Sequence, residues 1–203
     1  MTSSRTTLLW PSLPVEVADA LAVARAMVLH VCCAVCASKP IEDLLAAHIT
    51  PLLFFYNPNI DTPEEYKRRK DETTRLATRL GLDVVDAHHD VSCWNHATRG
   101  LETEPEGGMR CERCFELRLG QTAQFCASRS LPVWASTLGI SPHKDQATID
   151  RIGQQVSGPH GVTYWPVNWR KNRGVQRMFE IARQENMYRQ NYCGCRYSRS
   201  GKS

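Results

Sequence analysis

The stretch from Leu52 to Ala87 leaves this chain few folding options. An apolar run, LLFFY, is followed by TPEEYKRRKDETTRLATRLG and then by a second short run, LDVVDA. The middle segment is marked as a helix by Thr62 at the N-cap and Pro63 at the first position. Glu65 stands at the capping-box position, and Gly81 supplies the C-terminal stop. Two runs of strand length joined by one long capped helix make a β–α–β unit, and such units build parallel sheets.

The alternation continues on both sides. MVLHV reads as a buried strand, and SKPIEDLLAAH as a helix with Ser38 at its cap and Pro40 in its first turn. RCERCFELRLGQTAQFCASRS reads as a long helix. PVWASTL and VTYWPV are two more strands, each followed by a helical stretch. The expectation is an α/β fold with a doubly wound, mainly parallel sheet between two helix layers. Residues 1–24 read as a peripheral leader and residues 25–203 as a single domain.

Ligands of such sheets bind at the carboxyl ends of the strands. The first strand delivers His30, Cys32, Cys33 and Cys36 there. The second delivers Tyr56, Asn57, Asn59 and Asp61, and the fourth Thr137, Ser141, His143 and Lys144. His30, within a strand, reads as a hydrogen-bonded core histidine.

Nine cysteines in 203 residues exceed what stability requires, because a chain of this length buries an adequate core without crosslinks. The odd count and the close spacings argue against a secreted disulfide framework and for a reducing cytoplasm. Asp19, Arg25 and His30 interrupt the apolar stretch 18–37, so it suits neither a membrane span nor a secretory signal. CCAVC, RCERC and CGC gather Cys32, Cys33, Cys36, Cys111, Cys114, Cys193 and Cys195 into three groups. Cys93 and Cys126 stand apart as ordinary buried thiols. Clustered pairs point to metal. Zinc needs only four ligands, so seven thiols leave room for an iron–sulfur cluster with a second metal beside it.

The net charge of +4 is mild, but its distribution is uneven. Basic runs occur at KRRK (67–70), at WRKNR (169–173), and across Arg189, Arg196, Arg199 and Lys202. The first fits a solvated helix face. The others, interleaved with Trp169, Tyr188, Tyr192 and Tyr197, fit a nucleic-acid surface.

Six motifs, in order, carry a resemblance to a known family: LHVCCAVC, FFYNPNI, EEYKRR, EPEGGMRCERCFELRL, STLGISPHK and YRQNYCGCRYS. Together they resemble the QueH-type epoxyqueuosine reductases over Met27 to Ser198, with Val35 where family members usually carry proline. The resemblance implies a PP-loop or HUP-like fold with its metal site at the C-terminal strand ends. It implies removal of the epoxide oxygen of epoxyqueuosine at the tRNA wobble position, the last step to queuosine, without cobalamin. It implies a 4Fe–4S cluster and an adjacent mononuclear iron, held by Cys32, Cys33, Cys111, Cys114, Cys193 and Cys195 with Cys36 as a further candidate. An electron donor is required.

CCAVCASKP, where PP-loop proteins carry their phosphate loop, has no glycine-rich stretch, so ATP use is not expected. Asp61 and His143 are the candidate proton donors, and Arg170, Lys171, Arg173 and Arg196 the candidate tRNA contacts. EPEGG reads as a loop leading into the cysteine helix. The competing expectation is a zinc-stapled or sulfur-transferring tRNA-binding protein.

Overall fold

Five strands, β1 (Ala26–His30), β2 (Thr50–Phe55), β3 (Val84–Asp86), β4 (Val133–Ser136) and β5 (Thr163–Tyr164), pair in parallel in the order β3-β2-β1-β4-β5. This arrangement comes from a computed structural model that describes residues 14–199. The period of two along the strands divides the core into halves. Met27, Leu29, Val31, Leu53 and Phe55 face one layer. It contains α1 (Val15–Ala24), α2 (Ala34–Ala46), α3 (Pro63–Leu80) and α7 (Gly174–Gln184). Val28, Phe54, Tyr56 and Trp134 face the other, made by α5 (Met109–Ser128) and α6 (Gln146–Ser157). Helices on both faces explain why β1 is buried at every position from Met27 to His30 rather than at alternate ones. The expected doubly wound three-layer fold is observed. Within it α1 sets Val17 and Leu21 into the core, and residues 1–13 of the expected leader lie outside the described residues.

The order reverses at β1, whose neighbours β2 and β4 belong to opposite windings. Such a reversal opens a crevice at the strand carboxyl ends. Here the three ends are tied together. The Cys32 amide donates to Thr137 Oγ1 (3.3 Å) after β4, and Asn57 Nδ2 after β2 donates to the Val31 carbonyl (2.9 Å).

Helix α3 has the expected ends: Thr62 Oγ1 accepts from the Glu65 amide (3.4 Å), and Gly81 closes the helix at φ 67°. Glu65 does not reach back to complete a capping box. Its carboxylate takes Arg69 Nε at 2.7 Å and the Tyr188 hydroxyl at 2.9 Å. Helix α2 begins earlier than Ser38. Cys33 is its N-cap, with Sγ accepting from the Cys36 amide (3.4 Å), and Pro40 lies in the helix interior. The sulfur does the capping that the sequence reserves for a hydroxyl, and Ser38 instead donates back to the Val35 carbonyl. A short helix, α4 (Val91–Ala97), precedes α5, and α8 (Arg196–Arg199) follows the CGC segment. Among the described residues no helix is long and apolar enough to cross a membrane.

Candidate metal centre

Three cysteine-bearing segments from distant parts of the chain reach the crevice. In the first, Cys32, Cys33 and Cys36 occupy the end of β1 and the first turn of α2, and their sulfurs all lie within 4.8 Å of one another. Thr137 Oγ1 donates to Cys32 Sγ (3.6 Å). The thiol protons of Cys33 and Cys36 both favour a thiolate at Cys32, holding its pKa well below the ordinary range. The same contact pushes Cys33 up to about 12. Three thiols thus share their protons around one sulfur, at a helix N-terminus whose dipole favours negative charge.

The second segment is the start of α5. Gly108 is its N-cap and Glu104 Oε2 accepts from the Met109 amide (3.0 Å), so the EPEGG loop serves to start the helix. Cys111 and Cys114 follow three apart on one face, with the Gly107 amide donating to Cys111 Sγ (3.2 Å). Cys114 is buried in a small cluster with Trp94 and Cys195, beside Cys193 and Tyr197.

The third segment is a strap, Tyr188 to Cys195, laid over the crevice. Arg69, only 3% exposed, donates to the carbonyls of Cys193 (2.9 Å) and Tyr192 (3.2 Å). The Asp61 amide donates to Gly194 O (3.0 Å), Asn59 Nδ2 to Cys193 O (3.4 Å), and Gln190 Nε2 to Cys33 Sγ (2.8 Å). Cys193 and Cys195 sulfurs stand 3.7 Å apart. The glycine between them is at φ +114°, and a Cβ there would lie 3.0 Å from Ile60 Cγ1 and 3.2 Å from Arg69 Nη1. A side chain at that turn would be strained by the positive φ and crowded by Ile60 and Arg69.

The donor set suits metal. Metal–sulfur bonds of about 2.3 Å place neighbouring thiolates of a tetrahedron about 3.8 Å apart. The CGC sulfurs already have that separation, and the sulfurs of Cys32, Cys33 and Cys36 lie close enough together to approach one ion. The surroundings are cationic. Burial draws the Lys144 ammonium down, but the sulfurs of Cys193, Cys114 and Cys32 outweigh it, so its pKa stands above the ordinary lysine value.

A model of the family described as epoxyqueuosine reductase QueH matches residues 27–201, a span containing all seven clustered cysteines. The chain belongs to the QueH family. Among QueH relatives, the epoxyqueuosine reductase of Haemophilus influenzae is 42% identical over 85% of this chain and 71% of its own length. That of Acinetobacter baylyi is 40% identical over 85% of this chain and 79% of its own. The Thermotoga maritima protein is 33% identical over 85% and 89%. The family consists of oxidoreductases by name, and the structure gives this member a thiol-rich crevice at the strand ends.

The other expected site residues divide. Asp61 stands beside the strap, with Oδ1 2.9 Å from Arg196 Nη2. His143 is exposed on the loop after β4, and it is the neighbouring Lys144 that senses the thiols. Arg170 is committed to the carbonyls of Gly139, Ser141 and Lys144, while Lys171 and Arg173 stand exposed. Trp169 is core rather than a nucleic-acid platform: it is 2% exposed and donates Nε1 to Ser136 O (3.0 Å). His30 is a core histidine, with Nδ1 on Ser136 Oγ (2.9 Å) and Nε2 on Tyr56 O (3.2 Å). Cys126 is fully buried, whereas Cys93 is only partly so and faces the Tyr56 hydroxyl.

Three residues at the site escaped the reading of the sequence alone: Arg69, Gln190 and Arg118. Arg69 is hidden inside a basic run and Gln190 between two polar residues. Arg118 had a legible signal, since it follows Cys111 by seven and Cys114 by four on the same helix face.

Proposed function

We propose that this protein reduces the epoxide of epoxyqueuosine at the wobble position of tRNA, yielding queuosine without cobalamin. Two electrons and two protons remove the epoxide oxygen as water and leave a carbon–carbon double bond. The observation that carries the reading is the convergence of Cys32, Cys33, Cys36, Cys111, Cys114, Cys193 and Cys195 on one crevice in a chain of the QueH family. These cysteines would hold a 4Fe–4S cluster and a neighbouring mononuclear iron. When bound, the metals supply the electrons and a Lewis-acidic contact for the epoxide oxygen.

The remaining work falls to the polypeptide. Asp61 and His143 are the proposed proton donors, Asp61 the better placed because its backbone is anchored to the strap at Gly194. Lys144 keeps a positive charge next to the thiols. Lys171, Arg173 and Arg196 are the proposed contacts to the tRNA backbone. Arg170 supports them from beneath by fixing the loop between Gly139 and Lys144. A loop base that is already unstacked enters such a crevice at little cost.

Anaerobic purification tests the proposal. Brown protein with iron and acid-labile sulfide, converting epoxyqueuosine-containing tRNA under a chemical reductant, is expected. Serine at Cys32, Cys33, Cys111, Cys114, Cys193 or Cys195 should abolish turnover, while serine at Cys126 should spare it. Colourless protein with stoichiometric zinc and no sulfide after reconstitution would establish the zinc-stapled alternative instead.

A further inference from the structure

Four cationic side chains are buried among the described residues, and two of them are paired with a carboxylate. Lys39 pairs with Asp43, and Arg69 with Glu65. Arg110 has no carboxylate, and its Nε lacks a partner, but Nη1 donates to the carbonyls of Leu101, Glu102 and Glu104. Its guanidinium also lies 4.5 Å over the Tyr197 ring. Arg118 differs. It is 3% exposed, its one hydrogen bond goes to the amide oxygen of Asn57, and its Nε has no partner. Among the described residues no carboxylate lies within ion-pair distance of it. A guanidinium keeps its proton at any accessible pH, and an unpaired buried charge is strongly unfavourable. Such a cation implies an anion.

The position of Arg118 says which anion. Cys111, Cys114 and Arg118 share one face of α5. Asn57, which holds the guanidinium, donates to Val31 O, the residue before Cys32. Arg118 thus stands at the base of the crevice between two cysteine groups, and its field is felt at Cys32. A 4Fe–4S core bound by thiolates is negatively charged overall in its usual oxidation states, and nearby charge is one of the factors that set its potential.

We propose that Arg118 is the buried counter-cation of the metal–thiolate centre, a positioning residue that favours loading of the site and raises its reduction potential. The proposal rests on the reading of the crevice as a metal centre and adds to it a residue that binds no metal.

The experiment compares wild type, Arg118→Gln and Arg118→Lys, each metal-free and each reconstituted with iron and sulfide. Metal-free Arg118→Gln should be no less stable to urea than metal-free wild type, because glutamine removes the charge and keeps an amide donor for Asn57. Reconstituted Arg118→Gln should lose iron to a chelator at least tenfold faster. Its ratio of reduced to oxidised centre at a fixed potential should fall about tenfold, a shift of about 59 mV for one electron. Arg118→Lys should restore the potential. Equal destabilisation of both forms by Arg118→Gln, with iron retention and potential unchanged, would overturn the proposal. So would a lysine variant whose potential stays with glutamine's. Wild-type protein that binds zinc but no iron would sink the reductase reading alone, leaving Arg118 to be judged on zinc retention by the same variants.

Discussion

KRRK and WRKNR look alike as basic runs, and each commits one arginine to gathering the backbone carbonyls of another segment. Arg69 is enclosed, paired with Glu65, and grips the strap carbonyls of Tyr192 and Cys193. Arg170 is partly exposed, has no carboxylate within ion-pair distance among the described residues, and grips the carbonyls of Gly139, Ser141 and Lys144. Their neighbours Lys67, Arg68, Lys171 and Arg173 face solvent. A run of like charges is therefore not one functional unit. The fold takes one guanidinium as a clamp, because five fixed donors can gather several carbonyls, and leaves the rest for solvent or a polyanion.

The two clamps should differ in strength, and substitutions can measure the difference. Arg69→Met should have the largest effect, costing about 3–5 kcal/mol in urea unfolding, since it strands a buried Glu65 carboxylate. Hydrogen exchange at residues 191–195 should accelerate with it. A cost below about 1 kcal/mol would make the strap self-supporting. Arg170→Ala should cost about 1–3 kcal/mol, the range for losing hydrogen bonds from a charged donor to carbonyls. Its exchange signature should appear between Ser141 and Asp145 and leave the strap quiet. Effects on both segments would mean that the clamps are one network. The joint change Lys171→Glu and Arg173→Glu should move stability by no more than about 0.5 kcal/mol. It should weaken tRNA binding and lower the salt slope by roughly 0.7 for each lost phosphate contact on single-stranded RNA. Unchanged affinity would place the tRNA surface elsewhere.

How much was legible follows the same division between local and long-range causes. Strands and the ends of α3 were readable because Thr62, Pro63 and Gly81 act within a turn of where they stand. The start of α2 was not, because a sulfur replaces the hydroxyl as cap, a role that depends on Cys33 leaving β1 in an extended conformation. Cysteine spacing revealed the groups, but not that Cys114 packs with Cys195. Trp169 was misread because a tryptophan beside arginines looks like a stacking platform, and only the fold shows its N–H turned to Ser136 O. Arg69 and Gln190 act on partners more than a hundred residues away, and no local pattern encodes that.

The strap also sets a timetable. About 160 residues separate Cys32 from Cys193. A ribosome adding roughly 5–20 residues per second needs roughly 8–30 s to cover that distance. Throughout that interval the first three cysteines lie ahead of the segment that will cover them. A nascent chain thus presents an open thiol trio to oxidants and stray copper or zinc before its own lid has been made. A site that draws on all three cysteine segments would be complete only after the strap had been synthesised.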